Sequence, residues 1–134
     1  MATVKLIGYE NASPEAREVL DDIRKTRGSD FINAFWLALA NDPPLLKQVW
    51  GEAKSVMATA SLLDPLTKEM IYIAVSVTNG CSYCIHSHTA AARAKGMTPD
   101  QYAELLKVVS LAAKTNQLVT ALQIPVDDVF KVGE

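Results

Sequence analysis

Both cysteines and both histidines of the chain fall within ten positions, NGCSYCIHSH, residues 79–88. Two thiols three positions apart can cycle between dithiol and disulfide, one sulfur attacking and the other resolving the product. If a hydroperoxide is attacked, the first product is a sulfenic acid, which condenses with the second thiol. The reactive form is the thiolate, which a helix N-terminus and a nearby imidazole both favour. The same residue types also hold zinc, for which four ligands is the usual structural count. Spacing weighs these readings. On a helix that begins at Cys81 and turns roughly 100° per residue, Cys84 falls about 60° to one side and His88 lies between the two cysteines. Cys84 and His88 are at i, i+4, where helical side chains meet. Tyr83 and His86 point to the far side. One helix thus presents two thiols and an imidazole on a single face, an arrangement that does not easily wrap a tetrahedral ion.

The elements that must position these groups are legible from their punctuation. Asp64-Pro65 opens a helix to about Thr78, since Asp caps and Pro is tolerated at the first helical position. Asn79-Gly80 stops it. The next helix runs from about Cys81 to Lys95, with Gly96 as terminator. Glu69 has Leu66 three residues before and Ile73 four after, which turns it inward. If the two helices form an antiparallel hairpin, Glu69 lies roughly 15 Å from the turn and His88 roughly 12 Å. They stand near the same level. A relay Glu69–His88–Cys84–Cys81 follows, in which the carboxylate orients and charges the imidazole and the imidazole deprotonates a thiol. The blander reading of Glu69 is an acid favouring the start of its helix or meeting a lysine. By helix position Cys81 is nearer the positive end; by spacing Cys84 is nearer His88, and Cys84 is taken as the thiol deprotonated.

The rest of the chain also reads as helices. Ser13-Pro14 opens one carrying Ala16, Val19, Leu20 and Ile23, before a polar break at 24–29. A short helix follows with Phe31, Phe35, Ala38 and Leu39 on one face. Asp42-Pro43-Pro44 starts a third with Leu45, Leu46, Val49, Trp50, Ala53, Val56 and Met57. Thr98-Pro99-Asp100-Gln101 is a capping box opening a helix through about Ala113, and residues 114–123 form a last helix or continue it. Trp36 and Trp50 read as core or interface packing. Residues 4–9 could be extended, and a strand is the rival reading of IYIAVSV at 71–77. Apolar residues all around 70–77 place that helix centrally or at a subunit interface. The expectation is an all-α, single-domain bundle of about six or seven helices.

At 134 residues, 49% hydrophobic and 21% charged, the chain can bury a core without a staple. A net charge of -2 and scattered lysines and arginines give no case for nucleic acid or anionic membrane. The first residues lack an apolar signal region, and the dense apolar run at 70–77 is far shorter than the ~20 residues of a spanning helix. A cytoplasmic protein is expected, where a close cysteine pair points to catalysis or metal binding.

Glu69, eleven intervening residues, Cys81-Ser82-Tyr83-Cys84, and His88 after three more resemble the signature of the AhpD-like alkylhydroperoxidases, within the carboxymuconolactone decarboxylase superfamily. The flanks DPLTKE and IYIAVSVTNGCSYC are similar too. FINAFWLALANDPPLL resembles a segment of the peroxidase-related branch. The likeness spans roughly 31–113. It implies an all-helical fold in trimers or hexamers and a peroxide-reducing dithiol at Cys81 and Cys84. Glu69 and His88 would be the proton relay, with no metal, haem or other cofactor. The implied partners are a hydroperoxide substrate and a dithiol reductant, lipoyl-bearing or thioredoxin-like. Some members carry histidine where this chain has Tyr83, so no role for Tyr83 follows. The competing expectations are a lyase using Glu69 or His88 as acid or base, a zinc module on Cys81, Cys84 and His88 with or without Glu69, and a disulfide oxidoreductase or redox sensor.

Overall fold

Among the described residues, four of the six α-helices begin with the same device, a polar cap followed by proline. The computed structural model describes residues 1–131 and 133. In α1 (Pro14–Arg27) the Ser13 hydroxyl accepts from the Ala16 N–H at 3.2 Å. In α3 (Pro43–Ala53) Asp42 accepts from the Leu45 N–H at 3.1 Å, and in α4 (Pro65–Thr78) Asp64 accepts from Thr67 at 3.0 Å. The Thr98 and Gln101 side chains reciprocate at the start of α6 (Pro99–Leu122), a complete capping box. Each cap satisfies an amide that the first turn leaves open and contributes about 1 kcal/mol. The short α2 (Ala34–Leu39) and α5 (Ser82–Ala94) complete the set. Single 3-10 turns lie at Tyr9–Asn11 and Asp128–Phe130, and a π-helical turn at Lys54–Ala58 follows α3. The described residues contain no strand, so 71–77 is helix as expected, and 4–9 forms no ladder.

The chain divides into two compact units, Met1–Leu62 and Leu63–Glu134. The first is built on α1, α2 and α3. Leu20, Ile23 and Leu46 are fully buried, each contributing on the order of 1.5–3 kcal/mol by leaving water. Trp36 and Trp50 pack edge to face with ring centres 5.4 Å apart. Three details differ from the sequence expectation. α1 runs through the supposed polar break to Arg27, because Gly28 accepts the left-handed conformation (φ +63°) only there. Phe31 precedes α2 and is exposed, and the buried ring is Trp36. The regular helix ends at Ala53, and Val56 and Met57 sit on the π-helical turn.

The second unit is the hairpin of α4 and α5 with α6 packed on α4. Its core is small: Ile73, Ala92 and Met97, flanked by Leu66, Met70, Tyr102 and Leu105. α6 is one continuous helix of 24 residues, which resolves the alternative left open at 114–123. No Gly or Pro interrupts it before Gln123, which takes a left-handed conformation ahead of Pro125. None of its residues is buried, and everything from Ser110 to Leu122 is exposed. Val108, Leu111, Thr115, Leu118 and Leu122 repeat at alternating steps of three and four, a stripe of the kind that lines helix-to-helix seams.

Candidate active site

The joint between α4 and α5 fixes where the first sulfur stands. Gly80 adopts φ +68°, in the region that favours glycine, and its N–H donates to the Val77 carbonyl at 3.2 Å. The Cys81 N–H reaches back to the Ser76 carbonyl at 3.0 Å. Cys81 thereby becomes the N-cap of α5, and its sulfur accepts from the Cys84 N–H at 3.3 Å. Cys81 and Cys84 are joined by a disulfide across a Cα separation of 5.3 Å, a span that needs no backbone movement. Both are half-buried.

One turn beyond Cys84 on the same helix, His88 places Nδ1 2.7 Å from Oε2 of Glu69. The helix arithmetic had put these two at one level, and they meet. Glu69 is only 5% exposed, on the face of α4 that also buries Ile73 and Ser76. Its other oxygen, Oε1, accepts from the Lys95 ammonium at 2.9 Å. Burial pushes the Glu69 carboxyl up, but hydrogen bonds from His88 and Lys95, with the Lys95 charge, outweigh it and hold the group below the ordinary carboxylate value. An ionised carboxylate only accepts, so Nδ1 carries the shared hydrogen and Nε2 is the ring nitrogen left for proton exchange elsewhere. The Tyr72 ring stacks on the imidazole, with centres 3.6 Å apart and planes 21° apart.

Of the four residues expected at the site, Glu69 touches His88 and Cys81 touches Cys84. Among the described residues no hydrogen bond joins His88 to either sulfur in this disulfide form; the link between the two pairs is the shared face of α5. Tyr83 and His86 are exposed. His86 lies beside a shallow groove of about 390 Å³ that Arg93 and Tyr102 also line. No three or more His, Cys, Asp or Glu side chains converge as a metal site among the described residues. Sequence reasoning did not pick out Lys95 or Tyr72. Both had a signal: Lys95 is seven residues, two turns, after His88, and Tyr72 is three after Glu69.

No described helix is long and apolar enough to cross a membrane. A family model described as the carboxymuconolactone decarboxylase family matches residues 43–127. The alkyl hydroperoxide reductase AhpD of Mycobacteroides abscessus is 37% identical over 60 residues, which are 45% of this chain and 34% of that protein. The chain therefore matches about a third of the length of that relative. The crystal structure of the alkylhydroperoxidase AhpD core from Rhodospirillum rubrum is similar over 99% of both chains, with a TM-score of 0.95 and 61% identity.

Proposed function

The chain belongs to the carboxymuconolactone decarboxylase family, with an AhpD-like all-helical fold, and we propose that it reduces hydroperoxides through a dithiol–disulfide cycle at Cys81 and Cys84. The observation that carries this reading is the thiol pair at the start of α5, with an imidazole on the same face whose far nitrogen is pinned to a buried carboxylate. The names of both relatives point the same way.

In the reduced protein, Nε2 of His88 takes the proton of the Cys84 thiol. The thiolate attacks the terminal oxygen of ROOH; an S–O bond forms, the O–O bond breaks, and the alkoxide takes a proton and leaves as ROH. The Cys81 sulfur then attacks the sulfenic acid on Cys84. An S–S bond forms, and the hydroxyl departs as water with the Cys81 proton. The dithiol has given two electrons to the peroxide. A dithiol reductant, lipoyl-bearing or thioredoxin-like, restores both thiols and is itself oxidised to a disulfide. No cofactor enters the scheme. The exposed apolar stripe of α6 and the exposed Ile71, Val75 and Val77 of α4 support assembly into a homo-trimer or homo-hexamer.

Hydroperoxide consumption with a dithiol reductant tests this directly. The wild type is expected to turn over, and Cys84→Ser to lose activity by at least about two orders of magnitude. Equal rates would end the proposal. Free-thiol titration supplies the stoichiometry: one equivalent of organic hydroperoxide should remove two thiols per chain, and a dithiol should return them. Activity that survived alkylation of both thiols would instead indicate lyase chemistry on Glu69 or His88.

A further inference from the structure

Glu69 is nearly sealed from water, yet two cations can claim it. A buried carboxylate is tolerated only where its charge is balanced. The imidazole could supply that balance by holding a second proton, but a base that must stay protonated to neutralise its neighbour cannot accept a proton from a thiol. The carboxylate divides its oxygens otherwise: Oε1 takes the Lys95 ammonium at 2.9 Å, and Oε2 takes the His88 ring N–H at 2.7 Å. Lys95 follows the last residue of α5, and its backbone N–H closes the helix end against the Ala91 and Ala92 carbonyls at 3.1 Å, which fixes the root of the side chain. The lysine side chain is about one-third exposed, so its stem reaches an interior acid while part of it stays in water.

We propose that Lys95 is a positioning residue for the thiol chemistry, the permanent counter-charge to Glu69 that frees His88 to be a base. The inference rests on the hydroperoxidase reading for its catalytic meaning, though not for its electrostatics. Without Lys95 the balance of the carboxylate would shift to the imidazole, and the pair would be held together as an ion pair by a proton on His88. The base would then be released only at higher pH. Lys68 precedes Glu69 on α4. On α4, Tyr72 stacks on the imidazole. On α5, Cys81 and Cys84 form the disulfide, and Arg93 lies over the Tyr102 ring of α6 at 5.7 Å. Neither Asp100, Tyr102, Glu104 nor Lys107 of α6 hydrogen-bonds or ion-pairs with Glu69 or His88 among the described residues.

Two measurements on the full chain test it. The first compares pH profiles of hydroperoxide turnover for the wild type, Lys95→Gln and Lys95→Arg. Lys95→Gln should move the acidic limb upward by about one pH unit, a loss of about tenfold on that limb that disappears on the alkaline side. Lys95→Arg should restore the wild-type profile. A purely structural role would lower the rate equally at all pH values, and that outcome, or an unmoved limb, overturns the proposal. The second follows the imidazole rings by NMR titration. The chain has two histidines, and His86, exposed on the other side of α5, is the internal control. In Lys95→Gln the His88 midpoint should rise while that of His86 stays. A midpoint that stays or falls refutes the role of Lys95. A wild type with no turnover but the expected NMR shift would refute the hydroperoxidase reading and leave the charge balance standing.

Discussion

The two units contain the same triad of groups, a carboxylate flanked by a lysine and a ring N–H, and they use it differently. In the first, Asp22 accepts from the Trp50 indole at 2.7 Å and from Lys54 at 2.9 Å. In the second, Glu69 accepts from the His88 imidazole at 2.7 Å and from Lys95 at 2.9 Å. The distances coincide. The ring and the burial do not. An indole N–H donates and never titrates, whereas an imidazole donates from one nitrogen and exchanges a proton at the other. The Asp22 side chain is 39% exposed, and that of Glu69 is 6%. Water therefore screens the first triad, which ties α1 to α3 and to the π-helical turn that follows it, and leaves the second as a polar site inside a small apolar core. A hydrogen-bond pattern alone is not a catalytic signature; under the proposed function, a titratable ring on the helix face that carries the cysteines is what adds the chemistry.

Exchanging the rings should separate the two most sharply. His88→Phe is expected to cut hydroperoxide turnover by about 10²–10⁴-fold, the usual range for losing a general base. Trp50→Phe should leave turnover per folded molecule unchanged and cost about 1 kcal/mol in denaturant unfolding, since the lost bond to Asp22 is partly screened. Equal activity losses in the two variants would erase the distinction. Neutralising the acids should give a smaller contrast: Glu69→Gln slows turnover by about tenfold or more, and Asp22→Asn does not.

The smallest effect is on acid stability. Both carboxyls are held below their ordinary values of 4.5 and 3.8. For Glu69, hydrogen bonds to His88 and Lys95 overcome burial; for Asp22, hydrogen bonds from Trp50 and Lys54 act. A folded value below the unfolded one stabilises the native state above the ordinary value, and the gain is lost as pH falls through the folded value. Urea midpoints at about pH 7 and about pH 3 should therefore converge more in Glu69→Gln than in the wild type. Asp22→Asn should show a weaker convergence, because an exposed pair is screened by solvent and salt. A larger effect at Asp22 would reverse the assignment of burial as the deciding variable.

Much of this arrangement is legible in the sequence. Cap-plus-proline starts at Ser13, Asp42, Asp64 and Thr98 set helix beginnings by local chemistry, and helix rise on a hairpin turning at Asn79-Gly80 puts Glu69 near the level of His88. What the sequence does not disclose depends on short periods or on distant partners. The segment with Phe31 and Phe35 is too short for its period to define a face, and the pairing of Trp36 with Trp50 depends on a contact 14 residues away in sequence. Lys95 and Tyr72 were passed over because a lysine near a helix end and a tyrosine in an apolar helix are ordinary surface and packing residues. Only the partner they meet gives them meaning. Asp22–Trp50 was out of reach for the same reason, since nothing in either segment marks the other.

The long α6 carries a consequence of another kind. A helix of 24 residues extends about 36 Å, and among the described residues only its first turns, at Tyr102, Leu105 and Val109, find cover. The leucines of the exposed stripe are an unspent source of cohesion, available only when a second surface arrives. Where copies assemble, native structure and assembly draw on the same residues, and mass action enters the folding equilibrium. The melting temperature of this protein then becomes a property of the solution, rising with concentration and falling on dilution.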